Sequence, residues 1–200
     1  MNPAIDSIQT PFRGLLLAAG KGTRFDPAGV DNKLLAALPG ADDVVAVAAA
    51  QAMLQVLPVL AVVSAVDSAL GRRLAEAGCE VVGCDDAHAG MSASLMRGIR
   101  EAQGAQGWII ALADMPYVQA ATHRGLLAAL QDGVQIAVPT YLGKRGNPVA
   151  FGRSHLAGLL ALSGDRGARS LLQEFSVNEI PVNDPGIHRD IDTRADLDAR

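Results

Sequence analysis

The chain predicts an α/β fold, three-layer α/β/α, built on a mostly parallel sheet with helices on both faces. Three observations predict it. Short apolar runs of strand length alternate regularly with longer helical stretches from about residue 15 to residue 139, the pattern of strands joined by crossover helices. The first run, Leu-Leu-Leu-Ala-Ala at 15–19, has the length and character of a buried strand. The chain of 200 residues suits one domain with room for a substantial core. In such a sheet crossovers are right-handed and ligands bind beyond the carboxyl ends of the strands.

Taken in order, strand one covers 15–19 and breaks into Gly20-Lys21-Gly22-Thr23-Arg24. After Pro39-Gly40, Asp42 and Asp43 stand where a helix N-terminus favours acid, and a helix over 42–57 stops before Pro58. Strand two covers 59–63. Asp67 and Ser68 open a helix to Ala77, ended by Gly78, and strand three covers 80–84. A polar loop leads to Ser92 or Ser94, where a helix begins that runs to Ala102. Strand four covers 108–112 and ends in Ala113-Asp114-Met115-Pro116; a helix over 120–130 and strand five over 135–139 follow. Beyond Tyr141 the alternation lapses into a turn at 143–148, a short strand at 149–151, a helix over 154–162, a short helix to Phe175 and a strand over 177–182. Asp190-Ile191-Asp192-Thr193 then precedes a terminal helix. The expectation is a single domain over 1–200, with residues 1–12 as a flexible N-terminal segment.

Composition excludes several classes. The net charge is −4 and aromatics are few, so neither a bulk basic surface for nucleic acid nor stacking platforms for single strands are present. Cys79 and Cys84 are too few for a zinc site and read as small buried thiols. The first twelve residues lack the basic and apolar regions of a signal peptide. The uncharged stretch 44–66 is interrupted by Gln51, Gln55, Pro58 and Ser64, and reads as helix plus strand rather than a membrane span. A cytoplasmic location is expected. The only three lysines, Lys21, Lys33 and Lys144, fall in or beside the glycine-containing stretches that carry the candidate chemistry.

Glycines directly after a strand let the backbone turn and leave amide N–H groups open. With Lys21, Arg24 and Lys33 nearby, the loop at Gly20 is a cradle for a polyphosphate or, more blandly, a surface turn. It is not a P-loop, because Lys21 is followed by Gly22, nor a dinucleotide fingerprint, because Phe25 stands at the third glycine position. Asp114 ends a buried-looking strand, where a carboxylate needs a partner; a divalent cation beside a substrate phosphate is one, a helix cap another. Asp190 and Asp192 would share a face if extended, or cap the terminal helix. Gly90-Met91-Ser92-Ala93-Ser94-Leu95 offers hydroxyls and free amides at a helix start, for a base or an anion, or a plain serine cap. Lys144-Arg145-Gly146-Asn147-Pro148 reads as an anion-binding turn or as a basic hairpin tip. No arrangement for covalent catalysis is evident.

LLLAAGKGTRF, NKLL, GMSASLMRG, LADMP, GKRGNPVAF, GDRGAR and DIDT occur in that order along nearly the whole chain. This set resembles the molybdenum cofactor cytidylyltransferase family, MobA-like nucleotidyltransferases on the nucleotide-diphospho-sugar transferase fold, whose sheet has a Rossmann-like nucleotide-binding half. LAAG with GxR is shared by many nucleotidyltransferases; GMSASL, RGNPV and GDRGAR together are more selective. The resemblance implies that Leu17, Ala18, Ala19, Gly20 and Gly22 form the nucleotide loop, with Gly90 and Ser94 near the base. Lys33 and Arg24 would hold triphosphate oxygens and, with Asp114, carry catalysis. Asp114 and Asp192 would bind magnesium, with manganese as a substitute. Arg145, Gly146 and Asn147 would face the acceptor. One departure is that Arg194-Ala195-Asp196 follows DIDT where the family continues Pro-Glu-Asp.

The resemblance therefore implies a magnesium-dependent transfer from CTP to molybdopterin, with a molybdoenzyme or an insertion chaperone as protein partner. The residues alone imply nucleotidyl transfer. A cytidylyl- or uridylyltransferase on a sugar or polyol phosphate, a guanylyltransferase on the same cofactor, and a catalytically silent nucleotide- or cofactor-binding protein remain as alternatives. Ala18-Ala19 favours CTP over GTP, since related guanylyltransferases tend to carry a second glycine. Without metal, the gathered carboxylates are expected to repel one another.

Overall fold

The computed structural model describes residues 11–20, 22, 25–26, 31–40, 43–164 and 167–198. Its strands are β1 Phe12–Leu17, β2 Val59–Val63, β3 Glu80–Gly83, β4 Gly107–Leu112, β5 Ile136–Tyr141, β6 Lys144–Arg145, β7 Val149–Gly152 and β8 Asn178–Pro181. Its α-helices are α1 Val45–Leu54, α2 Ala69–Glu76, α3 Met91–Glu101, α4 Ala120–Gln131, α5 Leu156–Leu160, α6 Arg169–Glu174 and α7 Arg194–Asp198. The sheet order is β3-β2-β1-β4-β7-β5-β6, with β8 also paired to β5. β1 runs parallel to β2 and β4, β2 to β3, and β5 to β8, while β7 is antiparallel to both β4 and β5. The mostly parallel three-layer architecture is thus the one the alternation predicts.

Side-chain alternation divides the core into two. Leu15, Leu60, Val62, Trp108, Ile110, Val138 and Phe151 pack with Leu95 and Ile99 of α3, Leu159 of α5 and Leu171 of α6. Leu16, Val59, Ala61, Val63, Ile109, Ala111, Ala137 and Ala150 face α1, α2 and α4. The second face carries most of the core alanine, and Ala46, Ala49, Ala50 and Ala129 answer it from the helices. Small residues on both sides let helix and sheet approach closely at interior packing density. On the first face Trp108 fills the larger gap, fully buried, its Nε1–H donating to Ala102 O at 3.0 Å.

Boundaries shift where burial outweighs composition. β1 starts at Phe12, which is buried and pairs with Gly107, so residues 11 and 12 belong to the folded chain; 1–10 lie outside the described residues. β1 ends at Leu17, so Ala18 and Ala19 lie beyond it. The helix expected over 42–57 is the shorter α1, and Asp42 lies outside the described residues. Ser68 caps α2 by accepting from Gly71 N at 3.0 Å. Cys79 and Cys84 are free and buried, and burial pushes the Cys79 thiol up to about 12. Among the described residues no helix is long and apolar enough to cross a membrane.

Candidate active site

Chain order places the site. From β1 the chain moves outward to β2 and β3, then returns to pair β4 on the other side of β1. Loops leaving the carboxyl ends of β1 and β4 therefore diverge, and a crevice opens between them, as at any topological switch point. Gly20 and Gly22 rise from β1, and Asp114 from β4 just after Ala113 N bonds Leu17 O at 3.1 Å. Two further stretches arrive from elsewhere. Lys33 opens a short 3-10 turn held by Asn32, whose side chain accepts from Leu34 N at 3.0 Å, while Leu34 plugs into the core. The segment 189–193 is neither strand nor helix, and is docked by Ile191 N donating to Asp114 O at 2.8 Å. Ile191 is buried, so its neighbours Asp190 and Asp192 turn together toward the crevice.

At the centre Lys33 Nζ donates to Asp114 Oδ2 at 2.7 Å and to Asp192 Oδ1 at 3.0 Å. Burial opposes the lysine's charge, but the hydrogen bonds and charges of Asp114 and Asp192 outweigh it and raise its pKa above the ordinary lysine value. The two acids are thus joined by a cation rather than left to repel one another, a correction to the expectation from charge alone. Asp114 Oδ1 is buried and has no protein partner. Asp190 is held above the ordinary carboxyl pKa, first by burial and then by the charges of Asp192 and Asp114. Asp196 accepts from Asp192 N at 3.0 Å and from Thr193 N at 2.6 Å, the reach-back of a capping box. The backbone hydrogen bond from Thr193 is the first cause of its lowered pKa. Arg194 pairs with Asp31 and lies 5.2 Å from the Phe25 ring centroid, tying the terminal helix to the loop after β1.

Three adjoining hollows make up the cleft. One of about 400 Å³ is lined by Leu17, Ala19, Gly20, Gly90, Ser94 and Asp114, among others. Gly90 has φ of 113°, a conformation open to glycine, and it turns the chain so that α3 starts at the wall of this hollow. The second, about 330 Å³, holds Gly20, Gly22, Lys33, Asp114, Asp190 and Asp192. The third, about 80 Å³, is mainly apolar, with Leu95, Val149 and Leu172, and Asn147 also in its lining.

Of the residues singled out in the sequence, Leu17, Ala19, Gly20, Gly22, Lys33, Gly90, Ser94, Asp114, Asp192 and Asn147 are brought together here. Ala18 is not: it points into the core, its N–H bonding Val62 O at 2.8 Å. Arg145 is exposed on β6 and pairs with Glu179 at 2.8 Å, away from the residues lining the cleft. Gly146 packs on Ile187, where an added Cβ would meet the carbonyl oxygen at 2.5 Å, so this glycine serves close packing. Lys21, Thr23, Arg24, Asp165 and Arg166 lie outside the described residues. Arg169 and Met91 line both the acidic hollow and the apolar one without having been assigned a role from sequence. Their motifs, GDRGAR and GMSASL, were the signal. His88 also lines the hollow of about 400 Å³.

Residues 14–180 match the model of the MobA-like NTP transferase domain family. Over 120 residues the chain is 34% identical to the purine catabolism protein PucB of Bacillus subtilis, a match spanning 58% of this chain and 58% of that protein. The crystal structure of Rv0371c from Mycobacterium tuberculosis superposes with a TM-score of 0.77 at 28% identity, covering 94% of this chain and 96% of that one. A manganese complex of Rv0371c gives a TM-score of 0.74 with the same identity and coverage. A nucleotidyl transferase from Methanothermobacter gives 0.74 at 25% identity, covering 92% of this chain and 93% of that one. With its crevice at the β1–β4 switch and this family match over most of its length, the chain belongs to the MobA-like NTP transferase family.

Proposed function

We propose that this protein transfers the cytidylyl group of CTP to the terminal phosphate of molybdopterin, forming the cytosine dinucleotide cofactor and pyrophosphate. The observation that carries the reading is the fixed cation beside a nucleotide-sized hollow: Lys33 held at 2.7 and 3.0 Å by Asp114 and Asp192, next to a space of about 400 Å³. CTP rests on the family resemblance at Ala18-Ala19, and molybdopterin on the resemblance carried by GMSASL, RGNPV and GDRGAR.

The chemistry asks little covalent work of the protein. A phosphate monoester is already ionised near neutral pH. Its oxygen attacks the α-phosphorus in line, a new P–O bond forms, and the bond to the β-phosphate breaks to release pyrophosphate. Open amides at Gly20 and Gly22 and the start of α3 orient the nucleotide, Lys33 supplies a permanent positive charge, and the apolar hollow beside Asn147 receives the acceptor. Catalysis is then positioning plus charge neutralisation.

Asp114 and Asp192 fit a magnesium or manganese ion. Both are oxygen donors, and the buried Oδ1 of Asp114 lacks a protein partner. Among the described residues no group of three or more ligating side chains is gathered, so substrate oxygens and water would complete the shell. Such an ion would supply Lewis-acid neutralisation at the α-phosphate. The expected recipient of the product is a molybdoenzyme or its insertion chaperone.

The test is pyrophosphate release from CTP, UTP, GTP and ATP, with and without molybdopterin. Release from CTP that depends on molybdopterin is expected. Release that depends instead on a sugar or polyol phosphate, or on GTP, would reassign the acceptor or the nucleotide. Nucleotide binding with no turnover on any acceptor would make the chain a binding protein.

A further inference from the structure

His123 is 1% exposed on α4 and plays no part in the reading above. Its Nδ1 lies 3.2 Å from Gln119 O, a geometry that needs a proton on Nδ1, so Nε2 carries a lone pair. That Nε2 is buried and has no protein partner. Burial pushes the imidazole down to about 4, against a smaller opposing effect of the Gln119 hydrogen bond and the Asp184 charge, so the ring is neutral at working pH. The ring lines a small space of about 10 Å³, shared with Asn147, Pro148 and Met115. A space of that size admits about one water molecule. Asn147 belongs both to this space and to the apolar hollow of the cleft, so it forms the wall between them.

The rest of the wall is rigid. Asn147 N donates to Ile187 O at 3.0 Å. Asp184, 2% exposed, accepts from Gln119 N at 2.9 Å, Thr122 Oγ1 at 2.6 Å and Gly186 N at 2.9 Å. Both the backbone of Asn147 and the helical turn that carries His123 are therefore pinned to the segment 184–187. What these contacts leave open is the direction of the Asn147 side-chain amide.

We infer that His123 is a positioning residue: its Nε2 accepts a hydrogen bond from one buried water, which in turn holds the Asn147 amide toward the acceptor hollow. The inference rests on the reading of Asn147 as an acceptor contact. An unpartnered buried acceptor is unfavourable unless such a donor reaches it, and a water shared by imidazole and amide satisfies both sides at once.

The test has two arms on the full chain. In the first, ¹⁵N NMR of the histidines, assigned with a His123→Gln variant, reads the tautomer and hydrogen bonding of His123 directly. Protonation at Nδ1, with an Nε2 shift of a hydrogen-bonded acceptor that moves in Asn147→Ala, is expected. A proton on Nε2, or no response to Asn147→Ala, would overturn the inference. In the second, His123→Leu should raise the KM for molybdopterin about tenfold, the order of one hydrogen bond, and leave kcat and the Kd for CTP unchanged. His123→Gln, whose amide oxygen can still accept, should recover most of it. Equal effects of Leu and Gln would make the role structural and overturn the inference. If Asn147→Ala leaves the acceptor KM unchanged, the acceptor reading fails and takes the positioning role with it, even with the NMR link intact.

Discussion

Lys33 and Arg145 were both assigned to substrate phosphates or acceptor, and the fold treats them oppositely. Lys33 is 8% exposed and bridges carboxylates that stand 81 and 159 residues away in the chain. Arg145 lies on a two-residue edge strand and pairs with Glu179, the side chains 50% and 47% exposed. An exposed pair of that kind contributes about 0–1 kcal/mol. The Lys33 cluster is desolvated, so losing one partner strands a charge and costs more. A basic residue in a turn thus gains a role when remote chain segments converge on it, and not from its own neighbours.

The largest effect is expected at the acids. Asp114→Asn and Asp192→Asn should each lower kcat by about 100-fold or more if charge neutralisation at the cleft depends on them, with Asp190→Asn milder. Both should also lower the apo melting temperature, by about 1–3 kcal/mol of stability, because Lys33 loses an ionic partner. Unchanged activity in Asp114→Asn would remove the acids from the chemistry, and a raised melting temperature would mean that repulsion, not pairing, governs the cluster.

Lys33→Met comes next. It should weaken CTP use, yet tighten Mn²⁺ binding in the absence of nucleotide by about tenfold or more, since the ammonium competes for the same two carboxylates. Titration of Mn²⁺ followed by electron paramagnetic resonance reads this. Weaker Mn²⁺ binding would place the ion elsewhere. Because the folded pKa of Lys33 is raised, its contribution to stability is complete below about 10.5 and is lost as pH climbs through the folded value.

A buried neutral histidine gives an effect of opposite pH sense. His123 is lowered from 6.5 to about 4. The folded state therefore resists protonation that the unfolded state accepts, and stability falls as pH drops through that window. Unfolding followed between pH 7 and pH 4 should take up nearly one proton fewer in His123→Leu than in the wild type. An identical slope would show that the ring is not held neutral.

The smallest effect is expected at Arg145. Arg145→Ala should change stability by under about 1 kcal/mol and leave the Kd for CTP unchanged. A rise in acceptor KM below about twofold is expected from loss of an exposed pair; a tenfold rise would return the hairpin to the acceptor site.

The chain on its own determined the order of strands and helices, because apolar runs of strand length, serine caps and glycine stops are local signals that burial on both sheet faces reinforces. It also marked Gly20 and Asp114 as candidates, each beside an ordinary turn or cap reading, while Lys33 and Asp192 took their roles from the family resemblance. Only the tertiary structure decided that Lys33 stands between the two acids, that Ala18 faces the core while Ala19 faces the cleft, and that Asn147 lines the cleft while Arg145 does not. Each of those outcomes depends on which distant segment packs alongside. Ile191 must dock on Asp114 before Asp192 can reach Lys33, and Ile187 must close on Gly146 before Asn147 can turn inward. Long-range hydrogen bonds and packing of that kind leave no periodicity in the residues that make them.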